Sequence, residues 1–104
     1  MNMNSYTNTP SLSLEKNEFG QASELFLLLS ESNRLLLLSF LEFGSQSVSE
    51  LVLQSQLSQS LVSHHLKDLK TAGLVTSLKE KQWVYYSLSE KGKYVMELVR
   101  SIGL

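Results

Sequence analysis

The stretch that most limits how this chain can fold is LSQSLVSHHLKDL at residues 57–69, followed by AGLV at 72–75. On a helix with 3.6 residues per turn, its large apolar side chains fall on a single stripe. The members of this stripe are Val62, Leu66 and Leu69, with Leu61 and His65 at its edge. Ser58 is a candidate N-cap, because its hydroxyl can accept hydrogen bonds from the free N–H groups of the first turn. The stretch therefore predicts one helix over residues 58–72.

The opposite face of this predicted helix is polar. Its members are Ser60, Ser63, His64, Lys67 and Thr71. Short hydroxyls, an imidazole and an ammonium group can reach base edges and phosphates in a DNA major groove without clashing. A helix face that is simply solvated is equally consistent with these residues, so the next segment of the chain has to decide between the two interpretations.

A two-stranded ribbon is predicted directly after this helix. Gly73 can adopt the left-handed conformation that ends a helix. Residues 74–78 and 83–88 are rich in β-branched and aromatic residues and read as short strands joined by the charged turn at 79–82. We expect the aromatic residues Trp83, Tyr85 and Tyr86 mainly to pack in the core. A helix-turn-helix followed by such a ribbon is a winged helix-turn-helix.

The rest of the chain completes a mainly α fold with a small β-hairpin, in the order α-α-α-α-β-β-α. Residues 1–14 are predicted to form a flexible tail, and residues 15–104 one domain. Helices are predicted over about residues 15–29 and 31–43, with a short one over 49–54 capped by Ser49. Residues 46–48 read as an extended link and 54–56 as a turn, and a last helix begins after Ser89.

The chain resembles the ArsR/SmtB family of bacterial transcriptional repressors. The resemblance rests on L-S-Q-S-x-V-S-x-H-L-K-x-L-x-x-A-G-L-V at 57–75 and W-V-Y-Y-S-L at 83–88. It extends upstream through 22–26 and 29–35 and covers about residues 20–102. It implies a cytoplasmic homodimer that binds an inverted-repeat operator in double-stranded DNA. Relatives often carry a small residue or glycine near Gln56, and Gly and Arg where Lys81 and Gln82 stand.

DNA contacts are predicted for the helix and for the tip of the ribbon. Residues near the start of the helix should meet base edges, and those further along should meet phosphates. The tip should lie along the backbone beside the adjoining minor groove. The predicted DNA-binding residues are Ser58, Gln59, Ser60, Ser63, His64, Lys67, Thr71, Lys79, Lys81 and Gln82.

The first and last helices carry apolar stripes that the resemblance assigns to a dimer interface. The alternative is that both stripes pack within one subunit. The apolar surface of two amphipathic terminal helices is larger than so small a core can cover, which favours the dimer. The predicted interface residues are Leu25, Phe26, Leu29, Tyr94, Val95, Leu98 and Ile102.

Neither a metal site nor an enzyme is predicted. The chain has no cysteine, and Val52 and Gln54 stand where metal-responsive relatives carry thiolates. A second family site uses Asp and His on the last helix, and residues 91–104 contain neither. Ser60 and His64 could meet on one helix turn, but a nucleophile also needs an orienting acid and an oxyanion site. We therefore expect no cofactor.

The charge distribution fits DNA binding better than the net charge of −1 does. Residues 1–57 hold two basic and six acidic side chains, whereas residues 58–104 hold seven basic and four acidic ones. The positive charge thus lies in the predicted helix and ribbon. The acidic first half leaves one alternative open, a protein-interaction module that keeps this fold without operator binding. No signal peptide or run of about 20 apolar residues is visible, so no membrane association is expected.

Overall fold

The computed structural model describes the backbone of residues 11–103 and the side chains of residues 17–103. Its elements follow the predicted order of five helices and a hairpin, which confirms the fold class. They are α1 (Ser11–Leu29), α2 (Ser32–Leu41), β1 (Gln46–Ser47), α3 (Val48–Ser55), α4 (Gln59–Thr71), β2 (Val75–Glu80), β3 (Trp83–Leu88) and α5 (Glu90–Ser101). Residues 11–14, assigned to the tail from sequence, are helical, and the remainder of the predicted tail lies outside the described residues.

The chain divides after Ser30 into two compact units. The first contains α1, whose Phe26 and Leu27 side chains are largely exposed. The second contains the other four helices and the sheet, and therefore the whole helix-turn-helix and its wing. No helix within residues 11–103 is both long enough and apolar enough to cross a membrane.

The core of the second unit is made mainly of branched aliphatic side chains from α2, α3, α4 and residues 74–75, together with Val95 and Met96 of α5. The fully buried ones are Leu37, Leu38, Leu51, Val62, Leu66, Leu69, Leu74 and Val75. Burying each of these side chains contributes roughly 1.5–3 kcal/mol of hydrophobic stabilisation. The run of leucines in α2 is not buried as a whole, because Leu36 is exposed and Leu35 is only half-buried. One face of α2, and not its whole circumference, meets the core.

Helix α3 begins earlier than predicted, at Val48, and the assignment of Ser49 as its cap was wrong. Ser47 is the cap: its hydroxyl accepts from the Glu50 N–H at 3.2 Å, and the Glu50 carboxylate accepts from the Ser47 N–H at 2.9 Å. This reciprocal pair is a capping box, whose signature is Ser followed three residues later by Glu. The sequence carried the signal, since S-V-S-E at 47–50 fits it.

A third strand joins the hairpin. Strand β1 pairs antiparallel with β3, with Gln46 opposite Tyr86 and Ser47 opposite Tyr85, so the sheet order is β1-β3-β2. Two residues are too few to show the alternation that identifies a strand in sequence, and the segment was predicted only as an extended link. Ser47 is therefore both the last residue of edge strand β1 and the N-cap of α3.

The hairpin is longer and its turn tighter than predicted. Strands β2 and β3 pair from Val75 opposite Leu88 to Glu80 opposite Trp83, which leaves only residues 81 and 82 in the turn. Trp83 does not pack in the core, because the residue is 48% exposed, whereas Tyr85 and Tyr86 are half-buried. Trp83 adjoins the turn, and the alternation of strand faces puts it on the same side as the exposed Leu78.

Gln56, which ends α3, has left-handed backbone geometry. Its φ is +61° and its ψ is +18°, and its N–H donates to the Val52 carbonyl at 2.8 Å. A side chain with a Cβ is strained in this region, whereas glycine is not. The small or glycine residue that relatives often carry near this position thus has a physical reason.

Replacing Gln56 with glycine should stabilise the fold. We expect Gln56→Gly to raise the free energy of unfolding by a few tenths to about 1 kcal/mol, because relief of strain exceeds glycine's extra entropy loss. Urea denaturation followed by circular dichroism measures this change. Gln56→Ala is the matched control: it keeps a Cβ and should bring no gain. Equal gains from both variants would show that the backbone strain is not what limits stability here.

Candidate nucleic-acid interface

Helix α4 has well-defined ends at the residues that the sequence predicted. The Ser58 hydroxyl accepts from the Leu61 N–H at 3.2 Å and caps the first turn. At the other end Gly73 has φ +78°, and the N–H groups of Gly73 and Leu74 donate to the carbonyls of Lys70 and Leu69. This pattern closes the last turn of a helix through a left-handed glycine. The length of α4 is therefore set at both ends.

The structure brings the predicted helix contacts onto one exposed face of α4. Its residues are Gln59, Ser60, Ser63, His64, Lys67 and Thr71, and all are exposed. The opposite face, which consists of Val62, His65, Leu66 and Leu69, is buried. The exposed face carries no acidic side chain, so nothing on it would repel a phosphate. We call these six exposed residues the reading face.

Two predicted contact residues already use their hydroxyls within the protein. The Ser58 oxygen accepts the capping bond, and the Thr71 hydroxyl donates to the Lys67 carbonyl at 3.0 Å. A hydroxyl that meets a phosphate must donate. Thr71 could do so only after turning away from its own helix, so its prediction as a phosphate contact is weaker than that of Lys67.

Sequence reasoning missed Lys70. It stands eleven residues after Gln59, which is about three helical turns, and it therefore lies on the same side of α4. Its ammonium group donates to the Ser77 hydroxyl of β2 at 2.6 Å. Lys70 thus ties α4 to strand β2 of the wing and adds a positive charge between them. The eleven-residue spacing was the signal that could have found it.

The wing tip presents the three residues predicted to contact the backbone. Lys79, Lys81 and Gln82 are all exposed. Lys81 has φ +57°, a conformation that favours glycine, which agrees with the glycine that relatives often carry there. Glu80 lies between the two lysines, so the tip carries a net charge of +1 from these residues.

A charged network joins α2 to the buried side of α4. Arg34 donates from Nε to His65 Nδ1 at 3.1 Å and from Nη2 to Asp68 Oδ2 at 2.7 Å. The Nε2 atom of His64 lies 3.4 Å from the same Asp68 oxygen. His65 itself is only 2% exposed, so its ring packs in the protein interior. One carboxylate is therefore shared between an interior guanidinium and a side chain of the reading face.

His65 is held as a neutral imidazole. Burial lowers its pKa below the ordinary value of 6.5, and Arg34 and His64 lower it further, against the opposing effects of Glu31 and Asp68. Since Nδ1 accepts from Arg34, the proton of the neutral ring is on Nε2. That atom is buried and has no hydrogen-bond partner among the described residues. Protonation of Nδ1 would place its N–H against the Nε–H of Arg34.

The residues predicted for a dimer interface differ in exposure. Phe26, Tyr94 and Ile102 are more than half exposed and Leu98 is 49% exposed. Leu25 and Leu29 are half-buried. Val95, in contrast, is 5% exposed and offers little surface to a partner. Within residues 17–103, no group of three or more His, Cys, Asp or Glu side chains is arranged to hold a metal ion.

The sequence and the fold are both similar to those of known proteins. Residues 31–77 fit the family model described as bacterial regulatory protein, arsR family. The chain is 37% identical to the transcriptional activator HlyU of Vibrio cholerae over 88% of its own length and 87% of that protein. The crystal structure of the transcriptional regulator HlyU from Vibrio vulnificus superposes with a TM-score of 0.75 at 38% identity, covering 90% of this chain and 99% of that one.

A more distant structure shares the fold. It is the solution structure of a homodimeric winged helix-turn-helix DNA-binding domain from Mycobacterium bovis, with a TM-score of 0.77 and 22% identity over 90% of this chain and 85% of that one. The fold shared by the two proteins is the winged helix-turn-helix. The chain belongs to the arsR family of bacterial regulatory proteins. Members of this family are regulators rather than enzymes.

The lowered pKa of His65 predicts that the fold weakens in acid. The unfolded chain binds a proton near pH 6.5, whereas the folded chain binds it only at lower pH. Stability should therefore be complete above pH 6.5 and fall below it, by at most about 1.4 kcal/mol per pH unit from this one group. His65→Asn, whose side-chain oxygen can replace Nδ1 as acceptor, should flatten this loss.

Urea denaturation at several pH values between 7.5 and the acid limit of the fold tests this prediction, because each curve gives a free energy of unfolding. The matched control is His64→Gln, which removes the neighbouring exposed imidazole and should leave the acid-side loss in place. An unchanged pH slope in His65→Asn would assign the acid sensitivity to other groups.

Proposed function

We propose that this regulator works as a homodimer in the cytoplasm, reads an inverted-repeat operator with the reading face of α4, and grips the DNA backbone with its wing. The observation that carries the proposal is the acid-free reading face, held outward by a buried apolar stripe and flanked by the cationic wing. Helices exposed in this way enter the major groove in helix-turn-helix proteins.

The division of labour follows from side-chain chemistry. Gln59 can pair bidentately with adenine, and Ser60, Ser63 and His64 are short enough to meet base edges. Lys67 and Lys70 lie further along α4, where ammonium groups would meet phosphates. Phosphate contacts position the protein without carrying sequence information. Specificity is thus assigned to the first half of the helix, and affinity to the second half together with the wing.

Electrostatics support the same assignment despite the negative net charge of the whole chain. The reading face and its surroundings hold four lysines, Lys67, Lys70, Lys79 and Lys81, and the acid Glu80. Asp68 is the other acid nearby, and Arg34 neutralises it. A local positive surface of this kind attracts a polyanion even when the net charge of the protein is near zero.

Dimerisation is proposed from the exposed apolar side chains of the two terminal helices. Phe26 of α1 and Tyr94, Leu98 and Ile102 of α5 leave large apolar areas in water, which a second copy could cover. The distant Mycobacterium bovis domain is homodimeric. A two-fold dimer implies an inverted repeat with half-sites about one helical turn apart, roughly 34–36 Å.

The position of the operator decides whether binding represses or activates. A dimer that covers a promoter excludes the polymerase, and we propose repression on this basis. The Vibrio cholerae relative is named an activator, so a reporter gene under the selected operator is the direct test. No metal response is proposed, because the thiolate positions of the family are occupied by Val52 and Gln54.

Selection of bound sequences from a random duplex pool tests the function. We expect one inverted-repeat sequence to be enriched. Binding should weaken as salt rises, because phosphate contacts release counterions. Enrichment of no sequence, together with no retention on random DNA at low salt, would favour a protein-interaction module instead.

Substitutions on the helix and on the wing should have different signatures. Ser63→Ala or His64→Ala should cost roughly 1–3 kcal/mol on the selected operator and little on a scrambled duplex, since each removes a base contact. Lys79→Gln or Lys81→Gln should weaken binding to both duplexes alike and lower the salt slope by about one for each phosphate that is no longer bound. Fluorescence anisotropy at several salt concentrations measures all four.

Lys93→Gln serves as the matched control for the wing variants, because it removes a lysine from α5, which carries none of the reading-face residues. It should leave the salt slope unchanged. If Ser63→Ala lost the same affinity on both duplexes, the helix would not be reading bases and the assignment of roles would be wrong.

Replacing Leu98 with glutamate should break the dimer. A charge in an apolar interface costs several kcal/mol, which corresponds to a dimer dissociation constant raised by roughly a hundredfold or more. Sedimentation velocity at micromolar concentration should show wild-type dimers and Leu98→Glu monomers. Lys93→Glu places the same residue on another side of α5 and should remain dimeric. A wild-type protein that sediments as a monomer would refute the proposed assembly.

A further inference from the structure

The network around Arg34 lies behind the reading face, yet it holds the helix that carries it. We propose that Arg34 is a positioning residue for operator recognition: by binding His65 and Asp68 together, it sets the rotation of α4 and thus the register of Ser63 and His64 against the bases. This inference rests on the proposed function, since it explains how the reading face is oriented and not whether it binds DNA.

The geometry of the contact is what restricts rotation. His65 and Asp68 are three residues apart and therefore lie about one turn apart on the same side of α4. Arg34 reaches both with different nitrogens of one planar guanidinium, at 3.1 Å and 2.7 Å. A planar fork fixes direction as well as distance. A turn of α4 about its axis would break one of the two bonds.

The apolar contacts between α2 and α4 cannot supply this precision. Hydrophobic attraction depends on the area removed from water and has no preferred direction. Leu37 and Leu38 of α2 and Leu66 and Leu69 of α4 therefore decide which side of α4 faces inward. Several rotation angles of α4 about its axis would keep these leucines buried. The arginine fork selects one of these angles.

The two charges are poorly placed for their own helices. Arg34 lies in the first turn of α2, beside the positive end of that helix dipole, and Asp68 lies in the last turn of α4, beside the negative end. Each position is unfavourable in an isolated helix. The ion pair between Arg34 and Asp68 offsets the unfavourable interaction of each charge with its own helix dipole. The two charges therefore serve the contact between the helices and not the stability of either helix.

Asp68 connects this network to the reading face. Its Oδ2 atom accepts from Arg34 at 2.7 Å and lies 3.4 Å from Nε2 of His64, whose side chain is largely exposed. While Arg34 holds the carboxylate, that charge is neutralised beside the DNA surface. Without Arg34, the carboxylate would be free to draw the His64 imidazole away from the bases and to repel phosphates.

A role in stability alone makes a different prediction from a role in positioning. If Arg34 only stabilised the fold, its loss would reduce the fraction of folded protein while each folded molecule bound as before. If it positions α4, operator binding should weaken more than binding to unrelated DNA. The ratio of the two affinities is therefore the decisive quantity, measured at a temperature where circular dichroism shows the variant folded.

Arg34→Lys keeps the charge and removes the fork. The probes are the duplex selected from the random pool and a scrambled duplex of the same length and composition. Operator affinity should fall about tenfold, since one charge-assisted hydrogen bond is lost, while scrambled affinity should change less than about twofold. Arg100→Lys is the matched control: Arg100 forms a similar forked pair with Glu42, at the other end of α2, and its replacement should leave the ratio unchanged.

The wild-type protein provides a spectroscopic check. Nitrogen-15 NMR of the histidine rings should show His65 with an unprotonated Nδ1 and a protonated Nε2. In Arg34→Lys the acceptor role of Nδ1 is lost, so both tautomers should be present. A proton on Nδ1 of His65 in the wild type would mean that the arginine contact is absent, and it would overturn the inference.

Asp68→Asn is a second, milder variant in case Arg34→Lys fails to fold. It removes a negative charge near DNA, so scrambled affinity should hold or rise, while the operator-to-scrambled ratio should fall about threefold or more because the fork is weakened. An unchanged ratio in the folded variants would overturn the positioning role and leave the proposed function intact. A wild-type protein without any preference for the selected duplex would overturn both.

Discussion

The burial of one side of α4 against α2 and α3 is the constraint on which the rest of the structure depends. Val62, Leu66 and Leu69 are removed from water entirely, and each contributes of the order of 2 kcal/mol. Because a helix has a fixed period, burying these positions leaves no choice about what faces outward. The polar residues between them become the reading face. The same interaction that stabilises the domain therefore also exposes the residues for which we propose DNA contacts.

Polar interactions add the precision that apolar packing lacks. The capping box of Ser47 and Glu50 starts α3 at the point where β1 ends, and Ser58 starts α4. The pair formed by Arg34 and Asp68 then ties α4 to α2. Each is a directional contact at a helix end or between helices, where a small rotation would move the reading face relative to the wing. Directional bonds at such positions define orientation, while the leucines provide most of the stability.

The distribution of charge resolves the apparent conflict between a net charge of −1 and a DNA-binding fold. The lysines of α4 and the wing lie on one surface, whereas Glu42 pairs with Arg100 and Asp68 pairs with Arg34. Asp68, the acid beside His64 of the reading face, is thus neutralised by a local partner. Since screening limits electrostatic attraction to about 10 Å at 0.1 M salt, the local field matters more for binding than the total charge.

The sequence alone determined the order of the helices and the hairpin, the cap at Ser58 and the two faces of α4, because helical period and capping chemistry are local. Tertiary structure decided the rest. Strand β1 exists because β3 lies beside it, and Trp83 is exposed because nothing packs over the outer side of the hairpin tip within the described part of the chain. The contact of Arg34 with His65 and Asp68 joins residues more than thirty positions apart. Only the packing of α2 against α4 brings them within bonding distance, and no local pattern encodes that distance.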